Sequence, residues 1–274
     1  MSIPFGVKNK NEFNQALSRA RAATSKAAGY LTEKESYILA LLACCPTSSG
    51  TVLEIGSYKG LSTVLLGTAL RSTGDPVLHA CDPFDVTPVA EQRLLTNEVV
   101  FREFSRNIQS AGLADHVKVH RSFSSELAKT WNQSIRFLWI DGDHSLAQTE
   151  ADFEKFSAFV EPGGFIAFHD VLHHFPGPSQ VFANRILLDE KWAACGLCGS
   201  IGWAQRARSA DEANRVRGLK LHLYKRVSVF ACCSALDQPV TGFNKLRYKI
   251  LRSLIPRAKP DFDAFTALTA YKTT

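Results

Sequence analysis

Hydrophobic and polar positions fall into blocks of two alternating kinds along the central part of the chain. Thr32-Glu33-Lys34-Glu35 forms a capping box in front of an apolar run over 37–45, which predicts a helix over 33–45. Pro46-Thr47-Ser48-Ser49-Gly50 ends it, and Thr51-Val52-Leu53-Glu54-Ile55 reads as a short strand. Helical patterning then marks 62–71, 89–111, 124–131 and 147–160, with strands at 77–81, 117–120, 135–140 and 164–168. Strands separated by helices of this length require crossover connections, and hence a parallel sheet covered on both faces. Phe137-Leu138-Trp139-Ile140 and Phe165-Ile166-Ala167-Phe168 are apolar without alternation, as strands buried on both sides are.

After Pro176 and Pro178 the pattern predicts a helix over 181–190, then strands at 192–198 and 201–205 turning at Gly199-Ser200. Such a hairpin closes one edge of the sheet. The expected fold class is α/β: a doubly wound, mostly parallel Rossmann-like sheet with an antiparallel edge hairpin, plus a C-terminal extension. Beyond Ala207 the alternation stops; 219–224 reads as one more strand and 243–254 as a basic amphipathic helix. The chain divides by pattern into a polar segment (1–30), a main domain (31–206) and a basic extension (207–274).

With 274 residues, 45% hydrophobic and 21% charged, the chain can bury a full core and is neither disordered nor fibrous. No apolar run approaches the ~20 residues of a membrane span, and 1–10 lacks the apolar core of a signal peptide, so an intracellular, cytoplasmic protein is expected. The seven cysteines lie mainly in close pairs within apolar stretches and read as reduced, buried thiols; Cys195 and Cys198 form a lone CxxC without a second pair. A formal charge of +6 is too small for a dedicated nucleic-acid binder, and no specific nucleic-acid partner is expected. The excess is concentrated in 206–259, where Lys and Arg outnumber Asp211, Glu212 and Asp237.

Ligands of open parallel sheets bind beyond the carboxyl ends of the strands. The first strand delivers Glu54-Ile55-Gly56-Ser57-Tyr58-Lys59-Gly60, whose glycines allow a sharp turn and a close approach of backbone to ligand. This GxxxG spacing departs from the dinucleotide fingerprint GxGxxG and favours a smaller adenosyl ligand. The second strand ends in Asp82-Pro83, an acid placed to accept from ribose hydroxyls. The fourth and fifth end in Asp141-Gly142-Asp143-His144 and His169-Asp170, with His173 and His174 beyond: groups suited to acid/base work or to a divalent cation. His173 and His174 are equally explained as solvated loop residues.

Taken in order, 52–63, Asp82-Pro83-Phe84, 139–145 and 162–171 resemble a class I S-adenosylmethionine-dependent methyltransferase. The similarity is greatest to the subgroup of macrolide-sugar and other natural-product O-methyltransferases. It covers 29–206 and leaves the extension unmatched. The resemblance implies that Glu54, Gly56, Ser57, Tyr58, Gly60 and Ser62 shape the site for the methionine part of S-adenosyl-L-methionine, that Asp82 holds the ribose, and that Ser122 and Phe123 border the adenine. It implies catalytic roles for Asp141, which also borders the cofactor, and for His144, at the general-base position. Asp141 and Asp170 occupy the places of metal-binding acids, but His169 stands where many metal-dependent relatives carry an acid. Asp141, His169 and Asp170 are thus candidate ligands for Mg²⁺ or a softer cation, with a metal-free acid/base site as the alternative.

The expected activity is transfer of a methyl group to a hydroxyl of a small molecule or saccharide. A dinucleotide-dependent oxidoreductase would share the sheet and Asp82, but expects GxGxxG; a non-catalytic adaptor would have no need of the acids retained here. The stretch 243–254 interleaves apolar residues with Lys245, Arg247, Lys249 and Arg252, which suits an anionic membrane surface or an acidic partner as well as ordinary packing on the domain. Acceptor identity and oligomeric state are not encoded in any motif.

Overall fold

The computed structural model describes residues 5–74, 77–84, 97–234 and 241–271. The capping box forms as expected: the Thr32 side chain accepts from the Glu35 backbone while Glu35 reaches back to Thr32, opening helix α2 (Glu33–Cys44) behind an N-terminal helix α1 (Lys10–Thr24). The alternating pattern then gives β1 (Thr51–Ile55), α3 (Leu61–Ser72), β2 (Leu78–Cys81), α4 (Asn97–Ser110), β3 (Val117–His120), α5 (Ser124–Thr130), β4 (Ile135–Ile140), α6 (Leu146–Ser157) and β5 (Val160–Phe168). Helix α7 (Pro176–Val181) runs into a π-helical stretch (Phe182–Leu187), followed by the hairpin β6 (Trp192–Cys198) and β7 (Ile201–Arg206). Four helices close the chain: α8 (Ala210–Arg215), α9 (Arg217–Ser234), α10 (Gly242–Ser253) and α11 (Phe262–Thr269).

The seven strands lie in the order β3-β2-β1-β4-β5-β7-β6, parallel from β3 to β5 and antiparallel at β7 and β6. Connection direction reverses between β1 and β4, and the crevice there is where an open α/β sheet takes its ligand. Successive residues of the central strands face opposite layers. Val52, Phe137, Trp139, Phe165 and Ala167 join a core with α1 to α4 and α11; Leu53, Leu138, Ile140, Ile166 and Phe168 join one with α5, α6, α7 and α9.

Several expectations are corrected. The helix placed over 147–160 ends at Ser157, and Val160 opens β5 opposite Ile135, so that strand begins before Gly164. The stretch 219–224, whose Leu-Lys-Leu-His-Leu alternation mimics a strand, is helical within α9. Helical structure after Pro176 starts at that proline rather than at 181. Of the helix expected over 89–111, the part before Asn97 lies outside the described residues. The polar first thirty residues contain α1, which buries Phe13, Ala16, Leu17 and Ala20. No helix among the described residues is long and apolar enough to cross a membrane. Cys44, Cys45, Cys81, Cys195 and Cys198 are free and buried.

Candidate active site

The loop after β1 is built around what only glycine permits. Gly56 has φ +88°, and a Cβ there would lie 2.2 Å from the Asp141 carbonyl oxygen, so the β1 and β4 loops touch backbone to backbone. Asp82, at the end of β2, accepts from the Ser57 and Tyr58 N–H groups at 2.8 Å each and from Phe84 N–H at 2.7 Å. The acid expected to hold a ribose therefore also fastens the glycine loop. Gly60 caps α3 without any side-chain bond, so no side chain of the cap residue takes the first-turn N–H groups. Tyr58, Phe84 and Asp170 all adopt left-handed φ (46°, 56° and 54°), three non-glycine residues in that region at one edge of the sheet.

Glu54 lies beneath this loop, fully buried. Its Oε2 accepts from Ser57 Oγ at 3.0 Å and Thr63 Oγ1 at 2.5 Å, and the Ser62 hydroxyl bonds it as well. Oε1 is buried without a hydrogen-bond partner. Burial pushes the carboxyl up to about 7, against the three hydroxyls, with the nearby Asp141 charge adding to the rise. An unpaired acceptor under a glycine loop fits the cationic methionine end of an adenosyl cofactor. At the far side of the crevice, Phe123 is 52% exposed beside Ser122, an open aromatic face at the β3 edge.

Four residues expected from the motifs meet beyond β4 and β5. His169 Nδ1 is 3.0 Å from Asp141 Oδ1 and 3.8 Å from Asp170 Oδ1; His144 Nε2 is 3.5 Å from Asp141 Oδ1, and its Nδ1 is 3.9 Å from Asp170 Oδ2. Burial alone would raise the Asp141 carboxyl, but the His169 charge and bonds from both histidines hold it below its usual range. Burial alone would lower His169, but Asp141, Glu35 and Asp170 hold it well above the ordinary imidazole range.

Glu35 was not among the residues the motifs singled out. As the N3 residue of α2 it reads as a cap, yet it also accepts from Ser200 N–H at 2.8 Å and Ser200 Oγ at 2.6 Å, and lies 3.9 Å from His169 Nε2. Phe175 was missed too: its ring lies 4.6 Å from that of His144, whose carbonyl accepts from Gly177 N–H at 3.0 Å. Only an aromatic next to Pro176 in a His-rich loop hinted at it. His173 lies 3.6 Å from Asp170, within the cluster, and His174 packs on Phe175. Two surface clefts, of about 290 and 480 Å³, lie at the opposite edge of the sheet, around Arg206 and Lys191, and have no part in this site.

Among the described residues no three His, Cys, Asp or Glu side chains gather so as to hold a metal ion. His169 stands between Asp141, 3.0 Å from its Nδ1, and Glu35, 3.9 Å from its Nε2.

A doubly wound sheet with a glycine loop, an acid after β2 and polar groups at the switch point defines a Rossmann-like domain with its candidate ligand site in that crevice. Residues 53–171 match a family model described as a methyltransferase domain. An uncharacterized protein of Acanthamoeba polyphaga mimivirus is 28% identical over 142 residues, which span 51% of this chain and 60% of that relative. Among solved structures, the O-methyltransferase NovP superposes with a TM-score of 0.54 at 14% identity, over 72% of this chain and 98% of its own. An O-methyltransferase from Bacillus cereus in complex with SAH gives 0.50 at 18% identity, over 72% and 92%. Likeness at this identity is one of fold.

Proposed function

We propose that the protein transfers a methyl group from S-adenosyl-L-methionine to a hydroxyl oxygen of a small molecule or saccharide, without a metal ion. The observation that carries this reading is His144, held between Asp141 and Asp170 at the switch point, beside the glycine loop. The cofactor supplies a methyl carbon on a positively charged sulfur. Glu54, Gly56, Ser57, Tyr58, Gly60 and Ser62 shape the seat of its methionine end, Asp82 faces its ribose, and Ser122 and Phe123 border its base. Asp141, closest to His144 Nε2, sets the tautomer so that Nδ1 accepts the proton of the attacking hydroxyl, and Asp170 stabilises the imidazolium that results. Phe175 covers one face of the ring and Gly177 fixes its backbone, so base and nucleophile meet in one orientation.

The test is S-adenosylhomocysteine release with a panel of phenolic and saccharide hydroxyl compounds, together with calorimetry of cofactor binding. His144→Gln is expected to lower turnover by about 10²–10⁴-fold while leaving S-adenosylmethionine affinity unchanged. Full turnover by this variant would remove His144 as base. Binding of NAD in place of S-adenosylmethionine would overturn the cofactor assignment and favour an oxidoreductase.

A further inference from the structure

Helix α10 rests on the domain through one face only. Tyr248 is partly buried and its hydroxyl donates to the Leu172 carbonyl at 3.0 Å; Ile255, just past the helix, is buried, and the Arg226 guanidinium caps the end by donating to the Leu254 carbonyl. The residues turned away from that contact are not polar. Phe243 is 80% exposed, Leu246 53%, Ile250 51% and Leu254 59%. At 100° per residue these four fall within an arc of about 80° and form one continuous apolar ridge.

Basic residues flank the ridge. Arg247 lies at one edge of the ridge and Lys249 about 60° beyond the other, with Lys245 further round the helix; all three are exposed, and between Thr241 and Pro260 the chain has no acidic residue. None of the three forms an ion pair with an acid among the described residues. An exposed apolar ridge edged by cations with no acid partner among the described residues is complementary to one surface in particular. Side chains of this size insert between lipid headgroups while the flanking ammonium and guanidinium groups meet anionic phosphates. A second copy of the same helix would bring like charges together along the whole contact. Nucleic acid would engage the cations and leave the ridge in water.

We propose that α10 docks the protein on anionic membrane surfaces by laying Phe243, Leu246, Ile250 and Leu254 into the headgroup region. This inference is independent of the methyl-transfer reading.

The experiment uses the full chain and vesicles of phosphatidylcholine with and without phosphatidylserine. The protein is expected to sediment with the anionic vesicles at least about tenfold more strongly than with neutral ones, and less as salt is raised. Leu246→Glu combined with Ile250→Glu, both at exposed positions, should weaken binding about tenfold or more, as should Lys245→Glu with Lys249→Glu. Trp131, Trp139, Trp192 and Trp203 are all buried, so a Phe243→Trp reporter adds the one tryptophan able to shift to the blue on anionic vesicles. The proposal fails if the wild type ignores anionic vesicles or if the Leu246/Ile250 variant binds as the wild type does. Self-association of the wild type that this variant abolishes would overturn it in favour of a dimer interface.

Discussion

Glu54 shows how a residue can be shaped for a ligand before that ligand arrives. Burial holds its carboxyl near neutrality and leaves Oε1 unpaired; an approaching ammonium or sulfonium group stabilises the ionised form and lowers the carboxyl again. Binding therefore releases a proton in the neutral range, and S-adenosylmethionine affinity should rise as pH increases through about 7 and level off above it. Calorimetry at a series of pH values on either side checks this, and Glu54→Gln should flatten the dependence. Asp141 behaves oppositely. Its histidine neighbours keep it ionised, so it remains a fixed negative charge for His144 across the working range.

At the level of elements, the terminal helices are bound into the same core as the sheet. Phe13 of α1 meets Tyr37 of α2 edge-on at 5.2 Å and stacks on Phe262 of α11 at 5.6 Å. Phe13→Ala should cost about 3–5 kcal/mol in urea denaturation, whereas Arg19→Ala, exposed on the same helix, should cost almost nothing. Neither terminal helix was legible in the sequence. The buried stripe of α1 is half alanine, so its apolar contrast is low, and α11 is too short for a clear period. The sheet was legible because its strands are apolar on both faces, and the loop motifs because glycine and acids punctuate their ends. What misled the pattern at 219–224 was Lys220: it reads as an outward polar position, but its buried amine donates to the Asp189 and Trp192 carbonyls from within a helix. Glu35 stayed hidden for a related reason, since the capping box explained it fully before the hairpin turn was known to fold back onto it.

The molecule as a whole separates its charges. Asp141, Asp170, His144 and His169 gather at the carboxyl edge of the sheet, and Lys245, Arg247 and Lys249 lie exposed on α10. Tyr248 ties α10 to Leu172, two residues from Asp170, so the helix is anchored close to the site. On the metal-free reading, prolonged treatment with a chelator should leave both the thermal midpoint and turnover unchanged. Loss of either, restored by Mg²⁺, would put a cation back at Asp141 and Asp170.

Glu35 carries a final consequence. The same carboxylate closes the first turn of α2, clamps the β6–β7 turn through Ser200 and stands across from the imidazolium of His169. Fraying of a helix end is ordinarily a harmless, low-energy opening. Here it would free the sheet edge and unbalance the proton among the carboxylates in the same event. Helix end, hairpin and site thus share one carboxylate, and opening any one of them disturbs the other two.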